Sequence, residues 1–326
     1  MTTGPPRRVF VLGATGTIGR ATVRALVRRG HEVVCFVRAR AAADTARLLA
    51  GAEVRVGDVA DPSSLSRDGF CGERFDALVS CMASRSGAPA DAWAVDHQAH
   101  VRALAAARDS GVSQVVLLSA ICVQKPLLAF QQAKLAFEKV LIESGLTYSI
   151  VRPTAFFKSL SGQVERVRQG KPFLVFGDGT LTACKPISDD DLADYLAGCL
   201  DDTRRHDRVL PIGGPGEAMT PRQQGEQLFA QLGRPPRFKQ VPVALLDAII
   251  GVLGTAGHVV PSLAKKAELA RIGRYYATES MLVLDQATGR YDADATPSTG
   301  TETLIDFQAR LLSGVITLER GDHAVF

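Results

Sequence analysis

One stretch near the N-terminus constrains this chain more than any other. Val9-Phe10-Val11-Leu12 is a continuously apolar run, and Gly13-Ala14-Thr15-Gly16-Thr17-Ile18-Gly19 follows it at once. Residues 20–29 then read as a helix, closed by Gly30. Each glycine answers a separate geometric demand. A tight turn needs Gly13, close approach of a foreign group to the backbone needs Gly16, and packing of the helix on the strand needs Gly19. Strand, turn and helix in that order leave free N–H groups and the positive end of a helix dipole at the turn. The segment is therefore read as a diphosphate cradle for a dinucleotide, formed by Gly13, Thr15, Gly16, Thr17, Ile18 and Gly19.

The next apolar run ends Cys35-Phe36-Val37-Arg38, followed by Ala39 and Arg40. An NAD site would place an acid here to hold the ribose hydroxyls, and none is present. A guanidinium suits the bidentate geometry of a 2′-phosphate, so Arg38 selects NADPH over NADH. Asp58, in Gly57-Asp58-Val59, closes the third run. There it either flanks the adenine or caps the following turn, and spacing alone does not choose between them.

Short β-rich runs alternate with helical patterns at residues 8–13, 32–37, 53–56, 77–80, 114–119 and 148–151. Most are apolar throughout rather than alternating, as expected of parallel strands covered on both faces. Right-handed crossovers make this an α/β, doubly wound parallel sheet of Rossmann-like type. After Pro153 the rhythm loosens. Ser188-Asp189-Asp190-Asp191 opens a helix, Thr220-Pro221 opens another that Gly233 ends, and residues 209–212 return as a further strand. The division expected is a dinucleotide-binding core over residues 1–155 and a smaller, interleaved substrate-side region over 156–326, partly contributing to the same sheet. In such a sheet the nicotinamide lies over the carboxyl ends of the strands, near Ser119 and Pro153.

Composition excludes several classes. A net charge of +4 spread over 326 residues is too small for a nucleic-acid surface. Six cysteines without C-x-x-C spacing argue against zinc or an iron–sulfur cluster, and plain packing in a reduced compartment explains them. The N-terminus lacks the apolar segment of a signal peptide. The longest apolar stretch, residues 241–260, contains Asp247, His258 and three glycines, which is a poor transmembrane span. A cytoplasmic protein is expected, with peripheral contact to a membrane left open.

By its spacing the core resembles the short-chain dehydrogenase/reductases, particularly their atypical and extended members. There a Tyr-x-x-x-Lys pair reduces carbonyls. Here the matching segment is Phe130-Gln131-Gln132-Ala133-Lys134. Phenylalanine has no proton to give, so carbonyl reduction by that route is ruled against, while Lys134 keeps its role toward the nicotinamide ribose. The runs Leu118-Ser119-Ala120-Ile121-Cys122-Val123-Gln124-Lys125-Pro126, Ile150-Val151-Arg152-Pro153-Thr154-Ala155-Phe156-Phe157-Lys158 and Cys184-Lys185-Pro186-Ile187-Ser188 resemble the 3,8-divinyl protochlorophyllide/chlorophyllide a 8-vinyl reductases more closely. That resemblance implies reduction of a conjugated vinyl group to ethyl with NADPH, on a divinyl protochlorophyllide or chlorophyllide a. It implies a flat macrocycle against Phe156 and Phe157, with Lys158 and Lys185 toward its propionate. Lys134 and Lys158 are the catalytic candidates, and water, Tyr275 and Tyr276 share with Lys158 the candidacy for proton donor. His258 has the chemistry to approach a central magnesium, although a lone histidine in an apolar run is more often a core residue. Two rival readings stand beside this one: another atypical reductase of the isoflavone-reductase kind, and a non-catalytic NADP-sensing regulator or assembly factor.

Overall fold

A computed structural model describes residues 5–39, 45, 47–257 and 260–317. The apolar runs form strands β1 (Arg8–Leu12), β2 (Glu32–Val37), β3 (Glu53–Val56), β4 (Ala77–Ser80), β5 (Gln114–Leu118), β6 (Thr147–Pro153) and, later in the chain, β8 (Arg208–Ile212). They make one seven-stranded sheet in the order β3-β2-β1-β4-β5-β6-β8, and the ladders from β3 through β6 are parallel. From β1 the chain builds outward through β2 and β3. It then returns to β1's other side for β4, β5 and β6. The reversal falls between β1 and β4, and that switch point is where a doubly wound sheet opens a crevice for a ligand.

The first compact unit comprises Met1–Ser84, Pro89–Pro153 and Asp189–Pro211. Its core lies against the sheet as an aromatic cluster. Phe10 stacks on Phe70 with ring centroids 4.1 Å apart, and Phe75 meets Phe10 edge-on at 5.3 Å. The helix Thr17–Arg28 buries Ile18, Ala21, Thr22, Ala25 and Leu26. Its outer face pairs with the helix Asp189–Gly198 through Arg24–Asp190 at 2.8 Å and Arg28–Asp194 at 3.0 Å. Those pairs are about half exposed and contribute little stability. Gln114 is the buried polar link here, its amide donating to the Cys199 carbonyl at 2.8 Å.

The second unit comprises Arg85–Ala88, Thr154–Ser188 and Ile212–Phe326. The parallel pair β7 (Phe173–Phe176) and β9 (Phe238–Val241) packs with the helix Pro221–Gln231 around Val164, Val167, Phe173, Val175, Leu228 and Phe229. Thr220 caps that helix through Gln223, with Pro221 in the first turn, as the Thr-Pro pair predicts. The apolar stretch after β9 is the helix Val243–Gly257, which has no buried residue and leaves Leu245, Ile249 and Val252 exposed. No helix among the described residues is long and apolar enough to cross a membrane.

The helix Thr17–Arg28 meets β1 with no spare room. A Cβ on Gly19 would stand 2.1 Å from the Gly13 carbonyl oxygen and 3.0 Å from Ala14 Cα, backbone atoms that have no rotamer to escape into. Gly19→Ala is therefore expected to destabilise the fold by about 2 kcal/mol or more in urea titrations. Gly16→Ala, whose Cβ would meet only the Gly13 oxygen at 3.4 Å, should stay within about 0.5 kcal/mol of the parent. Equal losses would show that the close approach at Gly19 does not control stability.

Candidate active site

The glycine turn sits at the sheet's switch point. Gly13 adopts φ +73°, and a Cβ there would lie 2.5 Å from the Cys81 carbonyl carbon at the end of β4. The ends of β1 and β4 thus touch through a residue that has no side chain. Gly16 N donates to Gly13 O at 3.1 Å, and the first helical bond runs from Arg20 N to Gly16 O at 2.9 Å. The N–H groups before Arg20 therefore have no acceptor within the helix. The first turn carries no acid, and Thr15 and Gly16 are exposed. An open, positively polarised helix start beside a backbone without Cβ fits a dinucleotide diphosphate.

Arg38 directly follows β2 and is exposed, where it can meet a 2′-phosphate. Arg40 lies outside the described residues. Asp58 Oδ1 accepts the Ala60 N–H at 2.8 Å, so Asp58 does cap its turn, with one carboxylate oxygen engaged in doing so.

Two buried polar clusters lie at the carboxyl ends of β4 and β5, and residue spacing did not reveal either. In the first, Ser119 Oγ donates to Glu138 Oε1 at 2.5 Å, and Arg152 Nε donates to the same oxygen at 3.2 Å. Glu138 is almost wholly buried, so this pair fixes the end of β5, the helix Ala129–Ile142 and β6 to one another. In the second, Lys134 Nζ lies 3.0 Å from Asp96 Oδ1, with the Asp96 side chain fully buried. His100 stands beside them. Its Nδ1 is 2.9 Å from the Val95 carbonyl, which can only accept, so Nδ1 carries the proton and Nε2 accepts from Ser80 Oγ at 2.8 Å. Burial, reinforced by the Lys134 charge, pushes the His100 imidazole down to about 4, so it is neutral near pH 7.

Phe130 stands four residues before Lys134 on the helix Ala129–Ile142 and brings no hydroxyl to the site. Cys81, beside Gly13, is no nucleophile: burial pushes its thiol up to about 11. Pro153 ends β6 and is buried.

In the second unit, Phe156 and Lys158 are half-buried, and Lys158 lies in the short helix Phe157–Leu160. Phe157 differs from expectation. It is 1% exposed and packs on Phe307 with centroids 5.4 Å apart, so its ring fills a core rather than presenting a surface. Lys185 is likewise turned inward, its Nζ donating to the Thr296 carbonyl at 3.0 Å, because that backbone acceptor lies within the same unit. Tyr275 is buried and Tyr276 half-exposed. His258 lies outside the described residues.

The switch-point glycine turn, the exposed helix start and the half-buried lysine define an NAD(P)H-binding protein of the atypical short-chain dehydrogenase/reductase class, and residues 13–203 match the family described as NAD(P)H-binding. The chain is 50% identical to the divinyl chlorophyllide a 8-vinyl-reductase, chloroplastic, of Oryza sativa subsp. indica, over 98% of this chain and 82% of that one. It belongs to the divinyl chlorophyllide a 8-vinyl-reductase family. Similarity to the photosystem II assembly factor Ycf39 of Synechocystis sp. is weaker, 27% over 73% of this chain and 72% of that one. The fold is shared with AtPrR2, solved with NADP+ and (+)pinoresinol, at a TM-score of 0.68 and 18% identity over 94% and 99% of the two chains.

Two outcomes follow from this site. Losing a charge-assisted contact at Arg38 should weaken NADPH binding by about 1.5–3 kcal/mol in Arg38→Asp, measured by fluorescence titration, with NADH binding spared. Equal NADPH affinity would leave Arg38 a solvated surface residue. The second concerns acid. Folded His100 takes a proton only near pH 4, whereas the unfolded chain takes it near pH 6.5. The unfolded state binds more protons between those values, so stability should fall by about 2 kcal/mol from pH 7 to pH 5. His31, also lowered by burial, adds to the same slope. Denaturant midpoints should show most of that loss abolished in His100→Gln.

Proposed function

We propose that this chain reduces the 8-vinyl group of divinyl chlorophyllide a to ethyl, with NADPH as reductant. The observation that carries the reading is the pairing of Phe130 with Lys134. The lysine that would hold the nicotinamide ribose is present and ion-paired to a buried aspartate, while the position of the carbonyl-protonating hydroxyl is filled by a phenyl ring. Such a site suits a carbon–carbon double bond. Its reduction forms no alkoxide, and the charge that develops spreads over the conjugated ring, so placement matters more than a strong acid.

Bound NADPH would supply the hydride. The chain's own groups do the rest. The turn from Gly13 to Gly19 takes the diphosphate on backbone N–H groups, Arg38 takes the 2′-phosphate, and Lys134 with Ser119 orients the nicotinamide half at the ends of the strands. Residues 156–326 are assigned the substrate side, with Phe156 as the apolar contact and Lys158 as the cation for a propionate. The second hydrogen comes from a solvent-exchangeable source.

A direct measurement tests the chemistry. With 4-deuterated NADPH in ordinary water, each ethyl group formed should carry one deuterium, read by mass spectrometry and NMR of the monovinyl product. Absence of deuterium, or of monovinyl product, would overturn the reaction. An enzyme of the isoflavone-reductase kind would leave the tetrapyrrole unchanged, and a sensor would bind NADPH without oxidising it.

A further inference from the structure

The helix Val243–Gly257 is apolar on both of its sides. One side, with Leu246, Ile250, Leu253 and Gly257 at helical spacing, is half-buried. It packs on the helix Pro261–Thr278 as an antiparallel hairpin. A Cβ on Gly257 would stand 2.9 Å from Ala264 Cα at the turn, and Asp247 pairs with Arg274 at the open end. A surface helix keeps its other side polar. This one carries Leu245, Ala248, Ile249 and Val252 there, at i, i+3, i+4 and i+7. Leu245 is 51% exposed, Ile249 37% and Val252 70%. The helix has one charged residue, Asp247, and Arg274 neutralises it.

Charge and size decide what can cover such a face. Residues 227–267 hold five Lys or Arg, at 234, 237, 239, 265 and 266, against the single acid Asp247. All five are exposed, so cations stand on both sides of the apolar helix along the chain. A second copy would bring the same cations to the contact. It would also find too little area. A helix of 15 residues is about 22 Å long and 10 Å wide, so two matched stripes would bury about 220 Å² per copy, against about 800 Å² per partner in stable interfaces. Nor does the helix reach across a bilayer, whose hydrocarbon core is about 30 Å thick. A short helix with an apolar face and flanking cations lies along the headgroup boundary instead.

We propose that the helix Val243–Gly257 docks this chain on an anionic lipid bilayer. It lies in the plane of the interface, with Leu245, Ile249 and Val252 inserted among the acyl chains and Lys265 and Lys266 at the lipid phosphates. Docking of this kind is reversible, because the buried face is small. No cofactor or substrate takes part, so the inference stands apart from the reaction proposed above.

Co-sedimentation of the full chain with vesicles tests it. Vesicles of equimolar phosphatidylcholine and phosphatidylglycerol should bind the parent about tenfold or more tightly than vesicles of phosphatidylcholine alone. Ile249→Ser/Val252→Asp should weaken binding to the mixed vesicles by about tenfold or more. Lys265→Glu/Lys266→Glu should remove most of the preference for phosphatidylglycerol. The substituted side chains are exposed, so both variants should keep the parent's circular dichroism and NADPH affinity. A parent that stays in the supernatant, or either variant sedimenting as the parent does, would overturn the proposal. So would a parent that elutes as a dimer and becomes monomeric in Ile249→Ser/Val252→Asp, which would give the face to a second copy.

Discussion

The architecture turns on the approach of the helix Thr17–Arg28 to β1, where the Gly19 backbone presses on the Gly13 carbonyl. That approach aims the helix start at the crevice between β1 and β4. A side chain at Gly13 would collide with the end of β4, and one at Gly19 would push the helix off the strand. The glycine turn and the packing of the sheet are thus one steric arrangement.

Much of this was legible in the sequence, for physical reasons. Strands buried on both faces must be apolar almost throughout, so residues 32–37 and 77–80 match β2 and β4 to the residue. The returning strand was legible as Val209–Ile212, a short apolar run between Arg208 and Gly213-Gly214, and the sheet takes it as β8 from Arg208. What stayed hidden were pairings between residues distant in sequence. Glu138 had a faint sign, four residues after Lys134 on one helix face. Asp96 had none, because the acid that meets Lys134 comes from a segment with no motif. Phe157 and Lys185 failed as surface candidates for a related reason. A residue type suited to a ligand is equally suited to a core or to a backbone carbonyl, and only the fold decides between them.

Buried charge is unusually concentrated where β4, β5 and β6 end. Glu138 with Arg152, and Asp96 with Lys134, are ion pairs whose desolvation is costly and whose geometry must be kept. Between them Ser119 donates to Glu138, and His100 stays neutral, adding no third charge. The result is a rigid polar floor at the carboxyl edge of an otherwise apolar sheet. Rigidity of that kind suits a reaction governed by where a reductant is held.

The path of the chain between its two compact units has a consequence for biosynthesis. The polypeptide leaves the first unit after Pro153, and only Asp189–Pro211 completes it with the edge strand β8 and the helix that covers the outer face of Thr17–Arg28. A nascent chain emerging from the ribosome therefore has its whole glycine turn exposed well before the partner helix exists. The first unit cannot close as an independent N-terminal domain, and thirty-odd residues destined for the other unit must be threaded out while it waits. Vectorial synthesis then offers no safe halfway point, and a translation pause before residue 211 leaves an open sheet edge of the kind that chaperones bind.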